Sequence, residues 1–223
     1  ILAFAEVENA DVLVDLLRKL PLAWSHWILH QDSPDSRGID VAVMYDPQRI
    51  KVLQVSWLQP MGSPSRDAMR VTFFCRQGGD SLTLLFVHLP SQRDPRPHRR
   101  LHAMQSILSQ CEPIDGLVGD MNEHPNGPMG QWLQTQGMQV CDAAGPPGTY
   151  IYRNRWSWLD HVWLVDQGPW QVTVRHVPFG LRTSNQRLMI HRSFQGNRYL
   201  AGSSDHLPVS IWFKPRLLQG YSL

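Results

Sequence analysis

The sequence predicts an α/β fold in which mixed β-sheets pack face to face as a two-sheet sandwich and helices cover the outer faces. Three observations carry this. Apolar runs of strand length recur along the whole chain, segments with helical spacing are few, and some strands adjoin while others are separated by a helix. A chain of 223 residues with 42% hydrophobic content can bury one substantial core, and no stretch reads as a long linker. A single domain over residues 1–223 is therefore expected.

Taken in order, residues 1–4 read as a strand, and residues 9–20 place Val12, Leu13, Leu16, Leu17 and Leu20 at helical spacing behind Asn9 or Asp11 as cap. IDVAVMY, residues 39–45, is a strand that Asp46 and Pro47 stop. Strands follow over residues 50–57, 69–75 and 82–88, the last two joined as a hairpin by Gly78, Gly79 and Asp80. Residues 97–110 read as a helix, 114–118 as a strand, and 129–136 as a short helix that Gly137 ends. Strands over 158–165, 170–176 and 207–213 complete the pattern. The opening ILAFAEVEN has no basic region or cleavage site and reads as a strand already inside a fold, so further chain is expected before Ile1.

Composition excludes several classes. The formal net charge is +2, which permits an anionic substrate without marking a protein that coats nucleic acid. Nine Trp point to core and cleft walls, because large aromatics contribute most when removed from water. Cys75, Cys111 and Cys141 are odd in number, widely spaced and include no CxxC, so they read as buried thiols rather than a disulfide framework or a zinc site. No apolar run reaches the ~20 residues of a membrane span.

Chemistry concentrates in a few places. GLVGDMNEHP, residues 116–125, runs an apolar strand into Asp120 and Asn122, which in extended chain would face one pocket two residues apart. Alone, Asp-x-Asn before Pro125 is a turn more often than a site. SSDHLPV, residues 203–209, sets Asp205 and His206 before an apolar strand, where His can act as general base, although a structural histidine is as common a reading. His88 leaves the end of a strand in FVHLPS, Glu6 breaks an apolar segment in FAEVEN, and Asp160 sits among aromatics in WSWLDHVWL. A buried carboxylate in such a setting needs a metal or a cation to offset its desolvation. Four acids, Glu6, Asp120, Asp160 and Asp205, in or beside predicted strands form a coincidence that single motifs do not. Asp40 is a candidate orienter for His88, with a buried structural acid as the alternative.

Other chemistries lack their signatures. There is no GxSxG, GxxxxGK[ST] or GxGxxG. His98 and His102 have helical i, i+4 spacing but no Glu follows His98, and Arg99 and Arg100 beside them read as a solvated face. Arg93 and Arg96 extend that basic cluster, part of which would meet a phosphate.

These pieces in this order resemble the endonuclease/exonuclease/phosphatase superfamily, which includes deoxyribonuclease I, abasic-site endonucleases and neutral sphingomyelinases. The resemblance runs through AEVEN, RGIDVAVMYDP, HLPS, GDMNEHP, GTYIYRNRWSWLDHV and SSDHLPV, and is nearest to bacterial members of undefined substrate. It implies a four-layer α/β/β/α sandwich of two mixed sheets, with the family's first strand absent from the given chain. Position by position, it implies that Glu6 binds Mg²⁺, with Mn²⁺ as the alternative, and that Asp205 is an acid close to the metal. Asp120 and Asn122 match the pair that orients the attacking water and holds the phosphate. His206 matches the catalytic histidine, Asp160 its carboxylate partner, and His88 the second histidine of the deoxyribonuclease branch. The family's first-strand Asn has no counterpart before Glu6, and Ala5 stands where many members have Gln.

The function so implied is metal-assisted water attack on a phosphate ester, with a nuclease-like phosphodiesterase as the leading reading and nucleic acid as a candidate substrate. A phosphatase or lipid phosphodiesterase on the same fold, and a noncatalytic binding domain, are the alternatives.

Overall fold

The computed structural model describes residues 1–21, 27–34, 38–61, 66–92, 96, 98–165, 170–184, 187–195 and 198–215. Strand β1 (Leu2–Val7) leads into helix α1 (Ala10–Lys19), followed by β2 (Trp27–His30) and β3 (Asp40–Tyr45). The chain continues through β4 (Ile50–Leu58), β5 (Ala68–Cys75), β6 (Ser81–His88), helix α2 (Arg99–Gln110), β7 (Gly116–Asp120), helix α3 (Pro128–Thr135) and β8 (Met138–Val140). Next come β9 (Ala143–Ala144), the hairpin of β10 (Tyr150–Tyr152) and β11 (Arg155–Ser157), β12 (Asp160–Val165) and β13 (Trp170–His176). Two small hairpins, β14 (Leu181–Ser184) with β15 (Arg187–Ile190) and β16 (Phe194–Gln195) with β17 (Arg198–Tyr199), precede β18 (Val209–Pro215).

The sequence dictates α1 closely. Asn9 caps it by accepting from Val12 N at 3.1 Å, Asp11 lies in its first turn and Arg18 and Lys19 in its last, as the helix dipole favours. Its apolar stripe meets Val7, Ala42 and Met44 of an antiparallel sheet ordered β1, β3, β2. Alternation along β3 sends Val41 and Val43 to the other face, against Met69, Val71, Phe73, Leu84 and Phe86 of a six-stranded sheet. That sheet runs β4, β5, β6, β7, β12, β8, and is mixed because β6 and β7 are parallel, with α2 as their crossover. Its far face packs Leu85, Leu117 and Trp163 against Met104, Ile107, Met129 and Leu133 of α2 and α3.

A third sheet orders β18, β13, β9. Among the described residues β1 pairs only with β3 and β18 only with β13. A groove lined by residues 1–5 and 207–209 together with Ile211 and Phe213 runs between them.

Several expectations change. Strand β2 and the small late hairpins were not expected; their residues are short and mixed, and pairing with neighbours rather than a local pattern makes them strands. β7 extends to Asp120, so the acid ends the strand instead of following it. The last strand begins at Val209, two residues later than its apolar run. Cys75, Cys111 and Cys141 are free but half-buried rather than buried. Arg37, Arg93 and Pro97 lie outside the described residues. Among the described residues no helix is long and apolar enough to cross a membrane.

Candidate active site

The register of the six-stranded sheet sets three ionisable side chains in one row. His88 ends β6 and pairs with Asp120, which ends β7 and pairs in turn with Asp160 at the start of β12. Adjacent strands stand about 4.8 Å apart, so the three side chains are direct neighbours. His88 Nε2 lies 3.4 Å from Asp120 Oδ2. Gly119 makes the row tight: its φ is +144° and a Cβ there would stand 2.0 Å from the carbonyl oxygen of Val87 on β6. Only glycine lets the two backbones approach so closely.

His206 reaches the row from the other side. An isolated bridge pairs it with Tyr150, whose ring packs 5.1 Å from the imidazole, and Leu207 N donates to Thr149 O at 2.7 Å. These contacts bring His206 Nδ1 to 2.7 Å from Asp160 Oδ2. Asp120, Asp160 and His206 place one ligating atom each within 4.8 Å of one another.

Glu6 arrives from the other sheet. The pairing of β1 with β3 slips between Phe4 and Val7, and Glu6 sits in that bulge with φ +62°. Bulges re-aim side chains at functional edges, and a non-glycine residue in the left-handed region carries strain that the surroundings must hold. Here the bulge carries the Glu6 carboxylate to 3.9 Å from His88 Nε2. Asp205 lines the same cleft, half-buried beside His206.

Asn122 is reached differently from the expected strand alternation. It adopts φ +51°, and its backbone N–H donates to Asp120 Oδ1 at 2.8 Å, an Asx turn of the kind Asp and Asn favour. Its side-chain Nδ2 donates to Asp120 Oδ2 and to Leu89 O, both at 3.0 Å. GDMN is thus a turn in which the Asn122 amide clamps the Asp120 carboxylate. Asp40 does not meet His88: it accepts from the Ser33 N–H at 3.1 Å and stands opposite His30, while the carboxylate beside His88 is Asp120. Arg100 is not on a solvated face. Its Nε donates to Glu123 at 3.1 Å, and Glu123 also accepts from Met129 N, which ties α2 to the start of α3.

Electrostatics separate the members. Burial pushes the Asp120 carboxyl up, the neighbouring Asp160 charge adds to it, and the result is about 8. Burial would likewise raise Asp160, but the hydrogen bond and charge of His206 outweigh it and hold that carboxyl below the usual range. For His206 burial lowers the pKa, and the Asp160 hydrogen bond and charge overcome it to reach about 9. At neutral pH the pair is therefore imidazolium and carboxylate.

Three contributors were not assigned from the sequence. Thr149 is fully buried, and its Oγ1 accepts from Asp160 N at 3.2 Å and Leu159 N at 3.4 Å. Tyr150 backs the imidazole. Arg66, buried beneath the cleft, donates to His88 O at 3.2 Å and Leu89 O at 2.9 Å. The GTY of residues 148–150 was visible as part of a motif, but Arg66 had no local signal. The cleft that joins these groups measures about 1240 Å³ and is also lined by Tyr152, Phe179 and Ser204.

The endonuclease/exonuclease/phosphatase family matches residues 1–215, and the chain belongs to that family. It is a family of phosphoester hydrolases, and the chain is an enzyme of that class. A mannosyl-6-phosphatase of Bacteroides thetaiotaomicron is similar at 14% identity and a TM-score of 0.66, covering 95% of this chain and 84% of that one. The catalytic domain of human Nocturnin with bound sulfate is similar at 18% identity and a TM-score of 0.62, covering 95% and 80%. A humanized D. rerio TDP2 is similar at 17% identity and a TM-score of 0.63, covering 95% and 84%. At these identities the likeness shows a shared fold. A comparison with curated proteins found no matching sequence.

Proposed function

We propose that the chain is a divalent-cation-dependent phosphodiesterase of nuclease-like type, in which Asp120 and His206 divide the proton chemistry. The observation that supports this most is the row of His88, Asp120 and Asp160 across three strand ends, with His206 bonded to Asp160 at 2.7 Å.

The residues present fit a cation. Glu6, Asp120 and Asp205 bring hard carboxylate oxygens to the cleft, the donor type that Mg²⁺ and Mn²⁺ prefer. Within the Asp120, Asp160 and His206 cluster, Asp160 and His206 are committed to each other, so Glu6 and Asp205, which line the same cleft, would join Asp120 in holding the ion. The elevated Asp120 pKa reports burial first and then negative charge crowded by Asp160 and Glu6, which a cation would relieve. Such a cation, when bound, neutralises a nonbridging phosphate oxygen and acidifies a water.

The chain's own groups supply the rest. Asp120, held by both donors of Asn122, accepts the proton of the attacking water. His206 presents Nε2–H to a phosphate oxygen while Asp160 fixes the Nδ1 side, so charge developing in the transition state meets a preset donor. His206 thus acts as a charged donor rather than as the general base. His88 offers a second imidazole between Glu6 and Asp120. Displacement is direct, with no covalent enzyme intermediate.

A diester is favoured over a small monoester by the aromatic rim of the cleft. Tyr152 and Phe179, both at least half exposed, offer faces on which bases stack. The test is hydrolysis of bis(4-nitrophenyl) phosphate and 4-nitrophenyl phosphate with Mg²⁺, with Mn²⁺ and with EDTA. The diester is expected to turn over faster, and EDTA to stop it. A faster monoester would make the chain a phosphatase, and no turnover of either would favour a binding domain.

A further inference from the structure

A second polar cluster lies away from the row just described. His30 ends β2, Asp40 begins β3 and Asp32 lies on the connection leaving β2. Each offers a ligating atom, and these atoms lie within 4.8 Å of one another. The side chains of His30 and Asp40 are 5% and 4% exposed, whereas that of Asp32 is 84% exposed.

The bonding around His30 is incomplete. Its Nε2 is buried and makes no hydrogen bond. Asp40 Oδ2 faces it at 3.7 Å, beyond the ~3.2 Å limit of an N–H···O bond. An ion pair alone would draw these groups together, since charged hydrogen bonds close to about 2.8 Å. Asp32 Oδ1 stands 3.9 Å from Nδ1 of the same ring. Asp40 Oδ1 is already fixed by the N–H and hydroxyl of Ser33, so Oδ2 is the oxygen turned to the imidazole. Asp67 adds a further buried carboxylate: Gln31 donates to its Oδ2 at 3.2 Å, and its buried Oδ1 makes no hydrogen bond. Burial first, and the charge of Asp40 in addition, push its carboxyl up.

We propose that His30 Nε2, Asp40 Oδ2 and Asp32 form a second divalent-cation site, of the Zn²⁺ class. An imidazole with two carboxylates is the donor mixture that suits zinc and its borderline neighbours better than Mg²⁺. Donors about 2.1 Å from an ion stand roughly 3.4 Å apart along a tetrahedral edge, close to the 3.7 Å observed. Asp32 approaches the Nδ1 side of the ring, and its side chain, 84% exposed, is free to turn toward Nε2 and close the set. An ion here would clamp β2 and the connection after it to β3, whose Asp40 pairs with Val7, the residue after Glu6. The residues differ from those of the cleft, so this inference stands whether or not the phosphodiesterase reading holds.

The test uses EDTA-stripped protein, Zn²⁺ alone as probe, and calorimetric titration with metal content measured after dialysis. Wild type is expected to hold one more Zn²⁺ per chain than His30→Ala. Asp32→Asn, whose exposed side chain leaves folding intact, is expected to weaken that same ion about tenfold or more without changing Mg²⁺-dependent hydrolysis. Equal stoichiometry and affinity in wild type and Asp32→Asn would overturn the proposal and leave an ion pair only, whatever the folding of His30→Ala.

Discussion

His206 Nδ1 donates to Asp160 Oδ2 at 2.7 Å across 46 residues of sequence, and this one bond sets the charge of the candidate site. It carries the His206 pKa to about 9 against the pull of burial, so the imidazolium persists at neutral pH. Removing it should change both titration and rate. In Asp160→Asn the His206 ring is expected to titrate near or below its ordinary value, read from its Cε1 proton by NMR. In the wild type, folding raises the histidine, so its stabilising contribution is complete below about pH 6.5 and fades as pH climbs through 9. The lowered Asp160 contributes stability above the ordinary carboxylate range and loses it as pH falls through its depressed folded value. The stability gap between wild type and Asp160→Asn should therefore be wide at pH 6 and narrow at pH 10. His206→Ala should lower kcat by about 10³-fold with the fold retained.

Thr149 acts on the pair through Asp160. Replacing it by Val leaves the buried N–H groups of Leu159 and Asp160 without their acceptor, at a cost of about 1–3 kcal/mol. Urea unfolding should show that loss, and hydrolysis should fall with it as Asp160 loses its setting. Thr149→Ser, which keeps the hydroxyl, should restore most of both. A valine variant as stable and active as wild type would remove Thr149 from the site.

Gly119 holds the row at its spacing. An added methyl would overlap the Val87 carbonyl at 2.0 Å, and the backbone at φ +144° excludes other residues. Gly119→Ala should destabilise by about 2 kcal/mol or more, measured by denaturant midpoint, because β7 must part from β6 beside Asp120. Activity should fall further than stability alone explains.

Much of the fold was legible because its elements obey local periods. α1 shows helical spacing with its cap, β3 and β6 are apolar runs bounded by turns, and Gly78 and Gly79 mark the β5–β6 hairpin. The acids of the site were legible for the converse reason: Asp120 and Asp160 interrupt sequence that burial should keep apolar. The rest depends on partners far along the chain. Arg100 looked solvated because Glu123 is 23 residues away, and Arg66 touches carbonyls 22 and 23 residues on. Asn122 was expected to face the pocket of Asp120 through strand alternation, but that alternation was extended one step too far, into residues that turn. Small hairpins such as β16 with β17 hold two residues a side and leave no period to read.

The most direct measurement compares wild type with Asp120→Asn in stability and rate together. Folding raises the Asp120 carboxyl from 3.8 to about 8, so the cation-free protein loses stability as pH rises from about 4 to about 8, where the unfolded carboxyl is ionised and the folded one still holds its proton. In EDTA at pH 7, Asp120→Asn is expected to be more stable than wild type by at least about 1 kcal/mol, while its Mg²⁺-supported hydrolysis falls about 10³-fold. An Asp120→Asn protein that is less stable than wild type and hydrolyses the diester at an undiminished rate would contradict the account.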